Sequence, residues 1–386
     1  MYPTGLASIG LLTVLVAGTA CAKAPITPTT LYSFGSNASH PLGGVINVGG
    51  TLYGATSAGG SANDGTVYAY DIATNTESVV YAFLGGTDGA GPVCELLNVG
   101  GVLWGTTASG GANNTGIIFA VNPATGAETV AYSFAADGGA DGAYPQAALI
   151  NVGGILYGTT SEGGHFNAGT VFSFDPATGV ETPIYAFGTN EGDGSFPTAP
   201  LLSLNGLLYG TTYENSTAFV VNPVTGTEQV LYSFEANMDY SSTASGLTNI
   251  DGMLYGAARI SESDPDGFIY SLNPTTGALG TVYGFSGNKF APASPTAGLL
   301  AVNGMLYGTT EIGGSKSCHP RPRAAHGCGT VFSVNPATGK QTEMAAFGDS
   351  VNAPGPIGPL VKVGKTFYGV TASGGTAQVG SIYSVK

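Results

Sequence analysis

Charge is scarce in this chain. Only 9% of its 386 residues are Asp, Glu, Lys or Arg, and 10 of them are basic. Between Ala24 and Ala258 there is no Lys or Arg at all, against eighteen Asp or Glu; nine basic and six acidic residues follow from Arg259 onward. A formal charge of −14 disfavours nucleic acid and anionic membrane surfaces as partners, because both repel an acidic protein. Helical periodicity is missing over any long stretch, and no apolar run beyond the N-terminal region is long enough to cross a membrane as a helix. There is no His-Glu-x-x-His, no nucleophile elbow and no glycine-rich phosphate loop opening a helix, so the familiar zinc-protease, α/β-hydrolase and nucleotide signatures are absent. Cysteine is limited to four residues and tryptophan to one.

Glycine, by contrast, is abundant, at 63 residues, and it recurs in a pattern. In one unit the pattern reads Gly153-Gly154-Ile155-Leu156-Tyr157-Gly158-Thr159-Thr160, then Gly169-Thr170-Val171-Phe172, then Tyr185-Ala186-Phe187. The Leu-Tyr-Gly element returns at Leu52, Leu103 (Trp104 replacing Tyr), Leu156, Leu208, Leu254, Leu306 and Phe367, with steps of 51, 53, 52, 46, 52 and 61 residues. A period of this size means a solenoid, propeller or array. Each unit holds four short apolar or β-branched runs, here Ala147–Val152, Ile155–Thr160, Thr170–Phe174 and Thr182–Phe187. The first two runs are joined by Gly-Gly, Asn-Gly or Asp-Gly, which suit primed hairpin turns. The last two are joined by Asp-Pro-Ala-Thr-Gly or Asn-Pro-Ala-Thr-Gly, a turn cluster.

Four-stranded antiparallel units at this period predict propeller blades. The ends predict closure: Thr30–Phe34 is a lone fourth strand and Gly380–Val385 is a third strand without a fourth. Pairing them leaves no open edge. The expected fold is therefore an all-β, seven-bladed β-propeller of four-stranded antiparallel blades over residues 30–386, closed by the N-terminal strand completing the last blade. At one position of the first strand every unit carries a small residue (Gly43, Cys94, Ala147, Ala199, Ser245, Ala297, Gly358), as crowding around an axis demands.

Upstream of the repeats, Leu6–Ala20 is apolar and ends in small residues, so residues 1–22 read as a secretory signal peptide and 23–29 as a linker. Cys21 could become a lipidated N-terminus; ordinary cleavage after Ala20 or Ala22 is the alternative. Cys94, at the axial position, reads as an inert buried thiol. Cys318 and Cys328 bracket an insertion peculiar to one blade, and a disulfide between them suits an exported protein. Trp104 reads as core.

Topology separates a plain face from an elaborated one. Turns after strands one and three are tight. Loops after strand two (Ser57–Asp64, Ser161–Ala168, Glu311–Cys328) and after strand four (Ala135–Tyr144, Gly188–Phe196, Glu235–Ser242) are long and variable, which is where binding on a rigid scaffold concentrates. The candidate ligand-binding residues are accordingly Asp137, Asp141, His165, Glu191 and Asp193, with His319, Arg321 and Arg323 in the Ser315–Gly327 insertion. Asp, Asn and Gly are also the ordinary turn formers. Oxygen-rich loops could hold Ca²⁺, although only Asp264-Pro265-Asp266-Gly267 approaches a suitable spacing and no cofactor is required. Paired acids such as Glu191 and Asp193 could serve acid–base chemistry on a sugar. The basic insertion could grip a carboxylate, phosphate or sulfate, or it is a stapled surface loop.

The recurring Leu-Tyr-Gly-Thr-Thr…Gly-Gly…Gly-Thr-Val-Phe…Asn-Pro-Ala-Thr-Gly…Tyr-Ser-Phe pattern, from about Leu31 to Val385, resembles the Gloeo/Verruco (GloVer) tandem-repeat proteins. The resemblance implies export and a propeller and supplies no catalytic residues. More distantly the pattern is similar to kelch blades, through the glycine pair and strands such as Val67–Asp71, without the kelch tryptophan. The function expected is a monomeric binding scaffold, secreted or at the cell envelope (periplasm or outer membrane), for an extracellular glycan or protein. The alternative is a carbohydrate-active enzyme, lyase or hydrolase, using loop carboxylates. A purely structural surface protein is the third reading.

Overall fold

The computed structural model describes residues 25–135, 139–234, 245–259, 267–285, 292–295, 297–314, 328–348 and 355–386. Seven antiparallel sheets of four main strands follow one another in sequence order. In blade three the strands are Ile150–Val152, Ile155–Thr160, Thr170–Asp175 and Val180–Ala186, each hydrogen-bonded to the next. The first strand is shorter than the apolar run that announced it. Its leading residues, Ala147 to Leu149, are buried without forming a regular ladder.

Turn chemistry sets the hairpins. Asn205, Asp251 and Asn303 take φ of 51–53°, each followed by a glycine at positive φ, so these turns follow the right-handed twist of the strands they join. In the outer hairpin Asp175 accepts a bond from the Ala177 N–H through its side chain, and the Gly179 N–H donates to its carbonyl.

Closure is formed by Thr29–Ser33, antiparallel to Ser381–Val385. The seams between blades repeat one aromatic contact. Phe34 meets Tyr68, Phe83 meets Phe119, Phe134 meets Phe172, Phe187 meets Phe219, Phe234 meets Tyr270, Phe285 meets Phe332 and Phe347 meets Tyr383, at centroid separations of 4.9–5.3 Å. The closing seam, Phe34 on Tyr68, is packed like the others. The core is thus spread over the seams, and the ring as a whole is what buries it. Upstream of the closing strand, Ile26 bridges Ala345 on the outermost strand of blade six: its N–H donates to Met344 O (3.2 Å) and its carbonyl accepts from Ala346 N (2.9 Å).

The motif glycines follow from the same packing. A Cβ on Gly158 would lie 2.5 Å from the Phe172 ring, so the Gly of Leu-Tyr-Gly is the floor on which the strand-three aromatic rests. Beside it, strand two and strand three share a buried hydroxyl pair: Thr56 with Thr66, Thr160 with Thr170, Thr212 with Thr217, Thr310 with Thr330 and Thr371 with Ser381, at 2.7–2.9 Å.

Candidate functional site

The axis is as crowded as the small-residue position requires. A Cβ on Gly43 would collide with the Cys94 carbonyl carbon, and one on Gly358 would stand 2.6 Å from Gly44 N. Cys94 is a buried free thiol whose Sγ approaches Thr106 N and O at 3.4 and 3.6 Å, and burial raises its pKa. Ser245 makes the matching pair of bonds to Ala257 in blade five. Above this ring lies a cavity of about 310 Å³ to which every blade contributes. Its wall is mostly glycine, alanine, proline and leucine, and its one ionisable carboxyl is Glu95. In the other blades the residue at that place is Gly44, Ala148, Pro200, Gly246, Gly298 or Pro359. Burial pushes the Glu95 carboxyl up to about 7.

Two residues of this cavity are shared with a neighbour. Gln146 and Thr198 line both it and a second cavity of about 440 Å³ at the seam of blades three and four, whose remaining walls are Ser161, Glu162, Phe196, Tyr213 and Glu214. Backbone pairing within blade four builds one wall: Ser195 and Glu214 exchange both N–H···O bonds (3.2 and 3.1 Å), and Tyr213 N donates to Phe196 O (3.0 Å). Gln146 Nε2 donates to Ser161 Oγ (3.1 Å), which leaves the amide oxygen as an acceptor. Ser195 Oγ lies 3.4 Å from Glu214 Oε2. The Tyr213 ring is 43% exposed, rare for so large an aromatic here.

Strain accompanies this rim. His40, Tyr144, Phe196 and Ser294, at one equivalent position in four blades, sit at φ of 55–59°. Such left-handed residues persist only where surrounding bonds over-determine them. For three of them a bond across the seam does so, with His40 N donating to Val379 O, Tyr144 N to Thr115 O and Phe196 N to Ala168 O at 2.8–2.9 Å.

Two of the four acidic residues singled out by sequence, Asp141 and Asp193, are engaged in loop hydrogen bonds. Asp141 accepts from Tyr132 Oη (3.1 Å), Ala135 N (2.6 Å) and Gly142 N (2.8 Å). Asp193 is buried and accepts from Tyr185 Oη (2.5 Å) and from the Gly188 and Asn190 N–H groups (both 3.2 Å). Asp88 plays the same part with Tyr81 (2.6 Å) and Leu84 N (2.7 Å). These aspartates staple their own loops. Across each seam a glutamate of the next blade faces the same tyrosine: Glu128, Glu181 and Glu228. One carboxyl oxygen of each is buried without a hydrogen-bond partner. Burial first, and then the neighbouring aspartate, pushes Glu128 and Glu228 up to about 7 and Glu181 to about 8.

Glu191 and His165 are exposed and do not line the cleft. Asp137, Cys318, His319, Arg321, Arg323, Cys21 and the Asp264-Pro265-Asp266 segment lie outside the described residues. Cys328 is fully buried among Phe347, Leu360 and Tyr383. Trp104 is half-buried against Phe174 (5.9 Å). Among the described residues no group of three or more His, Cys, Asp or Glu is placed to hold a metal ion, and no helix is long and apolar enough to cross a membrane.

Sequence reasoning missed Glu95, Gln146, Glu162, Tyr213 and Glu214. A usable signal existed. Glu95 stands where the other six units carry Gly, Ala or Pro, whereas the place of Tyr213 varies, with Ser57, Ala108, Ser161, Arg259, Glu311 and Ala372 in the others. A departure from the repeat at an otherwise small position marks a side chain that the scaffold does not need.

Among solved structures, the extracellular domain of a two-component system from B. thetaiotaomicron is 11% identical with a TM-score of 0.62; the match covers 92% of this chain and 39% of that one. An oligogalacturonate lyase from Vibrio parahaemolyticus is 10% identical with a TM-score of 0.54 over 93% of each chain. An oligogalacturonate lyase in complex with manganese is 13% identical with a TM-score of 0.51, over 94% of this chain and 96% of that one. At these identities the likeness is one of fold. No curated protein matches. A sequence model of the Gloeobacter/Verrucomicrobia repeat matches residues 21–218 and 212–386.

Proposed function

We propose that this chain, which belongs to the Gloeobacter/Verrucomicrobia repeat family, is an exported binding scaffold that holds an extracellular glycan at the axial mouth and the blade three–four cleft. One observation carries the reading: the cleft joins an exposed aromatic ring, Tyr213, to an amide, two hydroxyls and two carboxylates, and shares Gln146 and Thr198 with the axial cavity. A sugar presents an apolar C–H face and a fringe of hydroxyls, which this combination matches. Small-molecule sites are concave, mostly apolar and carry a few placed polar groups in the same way.

The test is a glycan and metal-ion screen on the processed chain by thermal shift, with Ca²⁺ included as an arm. A bound glycan raises the melting temperature. Tyr213→Ala and Glu214→Gln should each weaken binding by about tenfold, roughly 1.4 kcal/mol. A chain that responds to no glycan would refute this reading and turn attention to a protein ligand, sought by pull-down from envelope extracts.

A second reading has its own support. Glu162 from blade three and Glu214 from blade four share one cleft, and two carboxylates flanking a sugar are the minimum for acid–base chemistry on a glycosidic bond. Turnover of the bound glycan, abolished by Glu214→Gln or Glu162→Gln with binding retained, would make the protein a lyase or hydrolase.

Export by the N-terminal segment belongs to the same proposal, with residues 1–22 removed as a signal peptide or Cys21 lipidated, and 23–29 as the lead into a monomeric propeller. Mass spectrometry of the mature N-terminus separates the two processing routes. The Cys318–Cys328 disulfide is proposed with it; a mass increase of two hydrogens on reduction, lost in Cys328→Ser, would establish the bond.

A further inference from the structure

Glu95 is the odd side chain of the axis. Six of the seven blades put glycine, alanine or proline at its position, so the ring closes without a functional group there. The Glu95 carboxyl has no hydrogen-bond or ion-pair partner among the described residues, and burial alone accounts for its raised pKa. An unpaired carboxylate among apolar walls destabilises the protein that carries it. No loop is stapled and no seam is bridged in return, unlike Asp141 or Asp193.

We propose that Glu95 makes the axial cavity a subsite for the ammonium group of an amino sugar, whose neighbouring residues lie in the blade three–four cleft. The assignment rests on the glycan reading above and sharpens it. Charge disfavours an anion, because among the described residues the walls of both cavities carry three carboxylates (Glu95, Glu162, Glu214) and no Lys, Arg or His. A divalent cation needs several oxygen ligands, and among the described residues Glu95 is the lone carboxylate in its cavity. An ammonium needs one counter-charge and a few acceptors, which Glu95 and the Gln146 amide oxygen provide. The volume of about 310 Å³ lies at the low end of the ~300–1,000 Å³ usual for small-molecule sites and suits one terminal sugar. The walls shared through Gln146 and Thr198 favour a sugar as the carrier of the amine, since the Tyr213 ring of the adjacent cleft then receives the adjoining unit. It also sets this site against a polyuronide.

The experiment compares glucosamine oligomers, their N-acetylated counterparts, neutral glucose oligomers and a simple aliphatic diamine by calorimetric titration at pH 7. The processed wild-type chain, Glu95→Gln and Glu95→Ala are titrated, the last being safe for folding because Ala148 occupies that place in blade three. The expected result is at least a tenfold preference for glucosamine oligomers in the wild type. Both variants should lose that preference, keep their affinity for the N-acetylated oligomers, and melt at a higher temperature. Equal affinity for all the sugars, or a preference that survives Glu95→Gln, would overturn the ammonium subsite and leave the glycan reading standing. Failure of every sugar would overturn both. A diamine that binds as tightly as the glucosamine oligomers would overturn the amino-sugar assignment in favour of a free amine.

Discussion

At the scale of single residues, the repeat separates what the scaffold needs from what it does not. Gly158 is needed: a methyl there would lie 2.5 Å from the Phe172 ring. Gly158→Ala should destabilise the protein by about 1–3 kcal/mol, the usual cost of overpacking, read as a lower urea midpoint with an unchanged slope. Phe134 and Phe166 make the matching contrast. Phe134 is fully buried in a seam and Phe166 is 60% exposed. Phe134→Ala should cost about 3–5 kcal/mol, while Phe166→Ala, on the surface, should stay within about 0.5 kcal/mol. The aspartates show why residue type alone misleads. Asp141 and Asp193 were attractive as ligand contacts because acids cluster in long loops. Their carboxylates instead satisfy loop N–H groups and a tyrosine hydroxyl, and one-dimensional spacing cannot tell an acid that faces a ligand from one that caps its own loop.

At the scale of elements, the seams carry the pH dependence. Glu128, Glu181 and Glu228 bind protons more tightly in the folded chain than in the unfolded one, with pKa values lifted to about 7, 8 and 7. A carboxyl of this kind favours the folded state most below its unfolded pKa, and the contribution is lost as pH rises through the folded value. The melting temperature should therefore fall between about pH 5 and pH 8.5. Glu181→Gln should flatten the upper part of that profile, and a wild-type profile that rises over this interval would contradict the assignment. Strands and hairpins were legible from sequence because their signals are local: alternation, Asn-Gly or Gly-Gly turns and the Pro-Ala-Thr-Gly cluster. The seam between blades was not, since a residue such as Glu181 meets Tyr132 only after two units have folded against each other. For the same reason the cleft, made by Glu162 of one blade and Tyr213 of the next, had no local signature.

At the scale of the whole molecule, closure decides stability. Each seam contributes an aromatic pair, and the closing pair, Phe34 on Tyr68 at 4.9 Å, differs in no way from the rest. Removing residues 25–34 would strip blade seven of its outer strand and leave Ser381–Val385 as a bare edge. Such an edge templates pairing with other chains. The truncated chain should elute as aggregates on size exclusion, whereas the intact ring should elute as a monomer. Closure was legible from the two ends alone, because a lone fourth strand and an orphan third strand leave one economical solution. The axial ring was legible too, since seven small residues at one register position are what a crowded axis selects.

Ile26 adds something to the picture of the ring at its border. Two hydrogen bonds fix the chain there to the outermost strand of blade six, five positions after Cys21. An extended chain spans at most ~3.3–3.6 Å per residue, so Cys21 lies no farther than about 18 Å from Ile26. If Cys21 carries a lipid, the ring is moored by its circumference, within about one strand-length of the bilayer, and cannot drift far from it. Polymers lying in the envelope then come within reach of its mouth.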